Sequence, residues 1–325
     1  MARADLLITL IRAARTGDQA LLRRVAEALI AEERAKNHPI LADRLEESLR
    51  QNGPMPSPGK AATEPAIDGL VHEVSPKRRL DELILNETIV SICREVIEEN
   101  ARADLLRSYN LEPRHRVLLT GPPGNGKTTL AEALAYELML PLYVVRYEGV
   151  IASYLGETAA RVGRLFDFVR TRQCVLFFDE FDVVAKERGD PYDTGEVKRV
   201  VSSLLLQVDA LPSHVFVVTA SNHPELLDRA VWRRFQVRLT LGQPTDAQRC
   251  AFVSRLLSGV RGIAPKTAEI VSRELAGASF ADIEEFGADV QRKVILSVSD
   301  ANPRQIIKKS LAAWKERARA QTNGV

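Results

Sequence analysis

The stretch GPPGNGKTTLA, from Gly121 to Ala131, constrains this chain more than any other. It follows an apolar run, HRVLLT from His115 to Thr120, and precedes a strong helix former, LAEALA from Leu130 to Ala135. A strand, a glycine-rich turn and a helix N-terminus in that order predict a phosphate cradle. Gly121, Gly124 and Gly126 let the backbone reverse, so that successive N–H groups converge on one concavity. Lys127 adds a positive charge near the expected β- and γ-phosphates, and the Thr128 hydroxyl suits Mg2+. The bare G-x4-G-K-[ST] pattern recurs by chance in surface loops. Here the flanking strand and helix supply the context that a nucleotide site needs.

A second run, VLFF from Val175 to Phe178, ends in Asp179 and Glu180. Neighbouring strand residues face opposite sides, so these two acids can have different jobs. Asp179 suits the Mg2+ sphere, and Glu180 suits polarising the water that attacks a γ-phosphate. Paired acids are often only a solvated strand end, but an upstream phosphate loop favours chemistry. A third run, Val215 to Thr219, leads into Ala220, Ser221 and Asn222. Asn222 could hold the attacking water or serve as an ordinary turn residue, and the residue alone does not decide.

The remaining pattern predicts an α/β fold. Apolar runs at Leu142–Tyr147 and Phe235–Leu241 join the three above, with helical spacing between them. Short buried strands alternating with helices imply a doubly wound parallel sheet covered on both faces. Beyond Gly242 only helical spacing appears, so residues 243–325 read as an all-α lid, after a nucleotide-binding unit over 76–242. Residues 53–75 read as a linker, because GPMPSPGKAATEP carries four prolines and no periodicity. Residues 1–52 read as a small helical module, a structural cap or a docking unit in equal measure.

Two arginines, Arg233 and Arg234, precede the last strand. Phosphoryl-transfer enzymes commonly need an extra guanidinium on the γ-phosphate, worth roughly 10³–10⁵ in rate. Their place in the expected sheet suggests that they reach a neighbouring subunit's nucleotide.

Taken together these motifs resemble the AAA ATPases of the narrow AAA clade, the group of spastin, katanin and the FtsH motor. The resemblance spans about Pro76 to Ala320. GPPGNGKT is similar to Walker A, with Asn125 where Thr is commoner, VLFFDE to Walker B, TASN to sensor 1, and LDRAVWRRF to the arginine-finger segment. It implies that ATP is bound by Gly121, Pro122, Pro123, Gly124, Asn125, Gly126, Lys127, Thr128 and Thr129. It also implies Mg2+ on Thr128 and Asp179, an adenine strip including Ile84, and a lid contact at Ala281. The family often spaces its two arginines; here they are adjacent, and the place before Phe235 favours Arg234 as the finger. Tyr154, Leu155 and Gly156 match the family's central pore loop, although spacing alone would let them simply pack at a helix start. An aromatic and a branched side chain can wedge against any extended polypeptide.

The resemblance further implies a homo-oligomer, a hexameric ring with nucleotide between subunits, acting on a protein substrate. Small bacterial members also suggest a separate subtilisin-like protease as companion. A nucleic-acid motor is disfavoured: 45 basic residues face 43 acidic ones, for a formal charge of +2. A nucleotide-switched scaffold for a partner protein is the remaining alternative. Proteolysis by this chain is set aside, since His72-Glu73 has no second histidine to complete a zinc motif. Cys93, Cys174 and Cys250 have neither metal nor disulfide spacing, which points to a reducing cytoplasm. The apolar run from Leu6 to Ile11 is too short for a membrane span.

Overall fold

A computed structural model of the chain describes residue 67 and residues 69–150, 155–182, 196–259, 265–297 and 302–322, with Val25 and Ala28 as isolated helical positions. The helices expected within residues 2–52 therefore lie outside the described residues, as does Tyr154. Residues 64–325 form one compact unit and residues 1–63 another.

In the larger unit a six-stranded sheet carries the order β1-β3-β4-β5-β2-β6. Its strands are β1 (Val71–Val74), β2 (Arg116–Thr120), β3 (Leu142–Val145), β4 (Cys174–Phe178), β5 (Val215–Ser221) and β6 (Val237–Thr240). All neighbouring pairs are parallel except β1 with β3, which is antiparallel. Strand β1 corrects the linker assignment for 53–75, because its four residues lie within that range. VHEV is too short and too polar to announce itself, and as an edge strand it needs burial on one side only.

Central strands are buried along their whole length, as a sheet covered on both faces requires: every residue of β4 and β5 is buried. Alternation divides them between two cores. Leu118, Leu176, Phe178 and Val217 face one layer with α5 (Leu155–Arg170) and α6 (Glu196–Asp209). Leu119, Val175, Phe177 and Phe216 face the other, with α1 (Glu87–Ala101) and α3 (Lys127–Glu137). Each buried Phe of this kind contributes roughly 1.5–3 kcal/mol.

The helical segment before the phosphate loop breaks at Arg102 into α1 and α2 (Ala103–Ser108). The run from Leu142 ends as a strand at Val145, and Tyr147 opens the short helix α4 (Tyr147–Val150). That turn is forced by a close crossing: a Cβ on Gly149 would stand 1.8 Å from the carbonyl oxygen of Gly69. Arg146 N–H donates to Leu70 O at 2.9 Å and the Arg161 guanidinium to Gly149 O at 2.7 Å, which locks the crossing.

After β6 the described residues contain helices and turns and no further strand. Helices α8 (Asp246–Leu257), α9 (Pro265–Glu274), α10 (Phe280–Leu296) and α11 (Pro303–Thr322) share a separate core around Phe252, Val271, Leu275, Ile283 and Val290. Thr245 caps α8 and Ser279 caps α10, each in a reciprocal capping box. No helix among the described residues is long and apolar enough to cross a membrane.

Gly149→Ala should lower stability by about 1–3 kcal/mol, since the new methyl must push two backbones apart. Urea unfolding checks it; an unchanged midpoint would mean the crossing has slack.

Candidate active site

Strands β2 and β5 end level, with Thr120 paired to Ser221, and β4 stops two residues short of them, with Phe178 opposite Thr219. Their carboxyl ends open onto a cleft of about 380 Å³, the usual place for a ligand in such a sheet. Residues Pro123 to Thr129, Asp179, Glu180, Asn222, Ile84 and Ala281 all line it. Gly121 and Pro122 stand behind that wall. A Cβ on Gly121 would lie 2.0 Å from Leu241 O, so the turn out of β2 can press against β6 only as glycine, at φ +133°.

Lys127 is buried at the base of α3 and donates to Gly121 O at 2.7 Å and Pro122 O at 2.9 Å. Burial pulls its amine below the ordinary lysine value, while Asp179 and Asp182 pull the other way. Thr128 Oγ1 donates to Asp179 Oδ2 at 2.8 Å, so a hydroxyl and a carboxylate oxygen meet at the cleft floor. This all-oxygen pair fits a hard cation such as Mg2+, which keeps waters and phosphate oxygens for its remaining positions. Glu180 is exposed and its backbone sits at φ +49°, a left-handed conformation costly for a residue with a Cβ. Its N–H donates to Asp179 Oδ1 at 2.9 Å, which helps to hold the turn.

Asn222 is steadied by a residue that sequence reasoning missed. Asp182 is buried, and its Oδ1 accepts the Asn222 N–H at 2.9 Å. Its signal was its place one helical turn beyond Asp179. Tyr147 was missed too. Its hydroxyl is buried without a hydrogen-bond partner among the described residues. Burial first, then Asp179, Asp182 and Glu180, push its ionisation far up.

The far end of the cleft is apolar. Ile84 packs against the lid core, and the rings of Phe252 and Phe280 meet edge to face at 5.2 Å. Arg255 lies over the Phe252 ring and donates to Glu82 O. One end thus suits a flat base and the other a chain of phosphates. The lid is fastened to the loop as well: Ala281 N–H donates to Gly124 O at 2.9 Å and Phe280 N–H to Asn125 Oδ1 at 3.4 Å. The Ala281 amide is thereby engaged by protein, and its contribution to the cleft is the wall it forms.

The two arginines are elsewhere. They end helix α7 (Arg229–Arg234), beside the start of β2, where Gln236 N–H donates to Arg116 O. Five strand residues separate that end from the phosphate loop, about 15 Å at the usual rise. Arg234 Nε donates to Asp209 Oδ2 at 2.6 Å, whereas Arg233 is exposed. Leu155 and Gly156 open α5.

Comparison with known proteins agrees with this geometry. The profile of the "ATPase family associated with various cellular activities (AAA)" matches residues 117–243. The "Uncharacterized AAA family ATPase y4kL" of Sinorhizobium fredii is 36% identical over 302 residues, covering 91% of this chain and 90% of that protein. The "Peroxisomal ATPase pex6" of Schizosaccharomyces pombe is 33% identical over 66% of this chain, but only 25% of its own length is matched. A "Putative 26S proteasome regulatory subunit homolog" of Methanothermobacter thermautotrophicus is 35% identical over 55% of this chain and 48% of its own. Among solved structures, the FIGL-1 AAA domain in complex with ADP superposes with a TM-score of 0.60 at 24% identity, covering 80% of this chain and 91% of that one, which shows a shared fold.

The state of Lys127 makes binding sensitive to pH. A phosphate ligand favours the charged amine, so affinity for a nucleoside triphosphate holds below the free lysine's depressed value. It falls as pH rises through that value, which lies beneath 10.5. Titration calorimetry in alkaline buffers of different ionisation enthalpy should report proton uptake on binding, and Lys127→Met should abolish that uptake.

Proposed function

The chain belongs to the AAA family of ATPases, and from that premise we propose that it is the subunit of a ring-shaped motor, a hexamer, that uses ATP to remodel or unfold a protein. ATP hydrolysis is the enzyme's reaction. The observation that carries the proposal is the division of the site: everything needed to bind and activate lies in one cleft, while both finger candidates lie at the other end of β2. A guanidinium cannot travel about 15 Å through a packed sheet, so it serves a neighbouring copy.

Each residue then has a role. The backbone from Gly121 to Thr129 cradles the phosphates, with Lys127 moving from its carbonyl partners onto them. Thr128 and Asp179 would hold Mg2+, which would supply positive charge against the phosphate oxygens. Glu180 accepts the proton of the attacking water, and Asn222, fixed by Asp182, orients that water. Ile84, Phe252 and Phe280 enclose the base. Arg233 is the finger, because Arg234 is already engaged by Asp209.

Tyr154, Leu155 and Gly156 form the element that grips polypeptide, on the segment that leaves the sheet beside the catalytic acids. Residues 1–52 serve as the docking part, residues 243–325 as the lid. The relatives named for peroxisomal and proteasomal roles favour a protein substrate over nucleic acid, and a companion protease, subtilisin-like or otherwise, is compatible with this design. The three cysteines favour the cytoplasm.

Glu180→Gln should leave ATP affinity within about twofold and lower turnover by at least about a hundredfold. Unchanged turnover would remove Glu180 from the chemistry. Arg233→Ala should be nearly inactive alone and regain turnover when mixed with Glu180→Gln chains; a flat response at every ratio argues for self-contained sites. Tyr154→Ala should keep basal turnover but lose its acceleration by a permanently unfolded polypeptide, whereas retained acceleration would take the residue out of substrate gripping.

A further inference from the structure

One carboxylate joins three elements that the catalytic scheme leaves separate. Asp209 ends α6, and its two oxygens take different partners: Oδ1 accepts Arg116 Nη1 at 2.8 Å and Oδ2 accepts Arg234 Nε at 2.6 Å. The pairs are partly buried, with side-chain exposures of 19% for Arg116, 35% for Asp209 and 24% for Arg234. Solvent screening is reduced there, and charge-assisted hydrogen bonds of this length are among the stronger polar contacts.

The placement matters as much as the strength. Arg116 is the first residue of β2, whose other end becomes the phosphate loop. Arg234 is the last residue of α7, which is otherwise fixed by the buried Val231 and Phe235 and by an N-cap in which Asp228 accepts Val231 N–H at 2.7 Å. Clamping Arg234 therefore sets the exit of α7, and with it the direction of Arg233, one residue earlier and exposed. Two adjacent arginines have similar reach and identical charge. What distinguishes them among the described residues is the carboxylate of Asp209, which pairs with Arg234.

We infer that Asp209 is the positioning residue for the finger: it retains Arg234 at home, fixes α7 against β2, and so presents Arg233 to the adjoining subunit. The inference rests on the shared-site reading above. An ordinary structural ion pair would tie the same elements together, so the test must separate effects on a chain's own site from effects on its neighbour's.

Subunit mixing does this. Asp209→Asn keeps the side chain's shape and removes its charge. Full-length Asp209→Asn should lose about tenfold or more in kcat, part of the roughly 10³–10⁵ a finger supplies, with the KM for ATP changed less than about twofold. Mixed with Glu180→Gln chains it should recover turnover as Arg233→Ala does, because its own Walker-type acids are intact and the other chain brings a set finger. Asp209→Glu should restore most of the loss, and Asp209→Asn should add little on top of Arg234→Ala.

Turnover like the parent's, or a loss that Glu180→Gln chains do not repair while they do repair Arg233→Ala, overturns the inference. No repair of Arg233→Ala either would sink the shared-site reading, and this inference with it.

Discussion

The fixed register of three parallel strands makes the cleft possible. The pairing of Phe178 with Thr219 and of Thr120 with Ser221 fixes where each chain leaves the sheet. A slip of one residue would turn every side chain to the opposite layer and shift the exits by about 3.3 Å. The cores on both faces prevent that slip, since Leu119, Phe177 and Phe216 fill one layer and Leu118, Phe178 and Val217 the other. Packing energy far from any ligand thus determines where the lysine, the hydroxyl and the acids can meet. It also supports local strain: the left-handed turn at Glu180 persists because the strand before it cannot move.

Much of this was legible from residue order. The phosphate loop declared itself through the residues around it, and the buried strands through their apolar runs. Strand β1 was not legible, because a four-residue edge strand with one buried side has almost no pattern to read. The break at Arg102 lacks a glycine or proline to mark it. Tyr147 misled in the other direction, since an aromatic after an apolar run favours strand, yet the crossing of Gly149 with residue 69 turns the chain there.

The residues that line the cleft were readable, and the ones that brace the surrounding elements were not. Asp182 and Asp209 pair with residues 40 and 25 positions away, and such pairings leave no periodic trace. The choice between Arg233 and Arg234 is the sharpest example. Position before Phe235 favoured Arg234, whereas the ion pair of Arg234 with Asp209 is the ground on which Arg233 is proposed. The first preference came from a motif's outline, and the proposal from a charge that only folding brings close.

The joint between lid and phosphate loop has a mechanical meaning. Helix α10 begins there, with Ala281 and Phe280 fastened by their amides to Gly124 and Asn125, and runs 17 residues to Leu296. At 1.5 Å per residue it is a rod about 25 Å long, so a tilt of about 5° at its foot carries its tip about 2 Å. A small displacement of the loop would thereby be magnified at the far end of the helix, with no hinge of glycines needed to produce it.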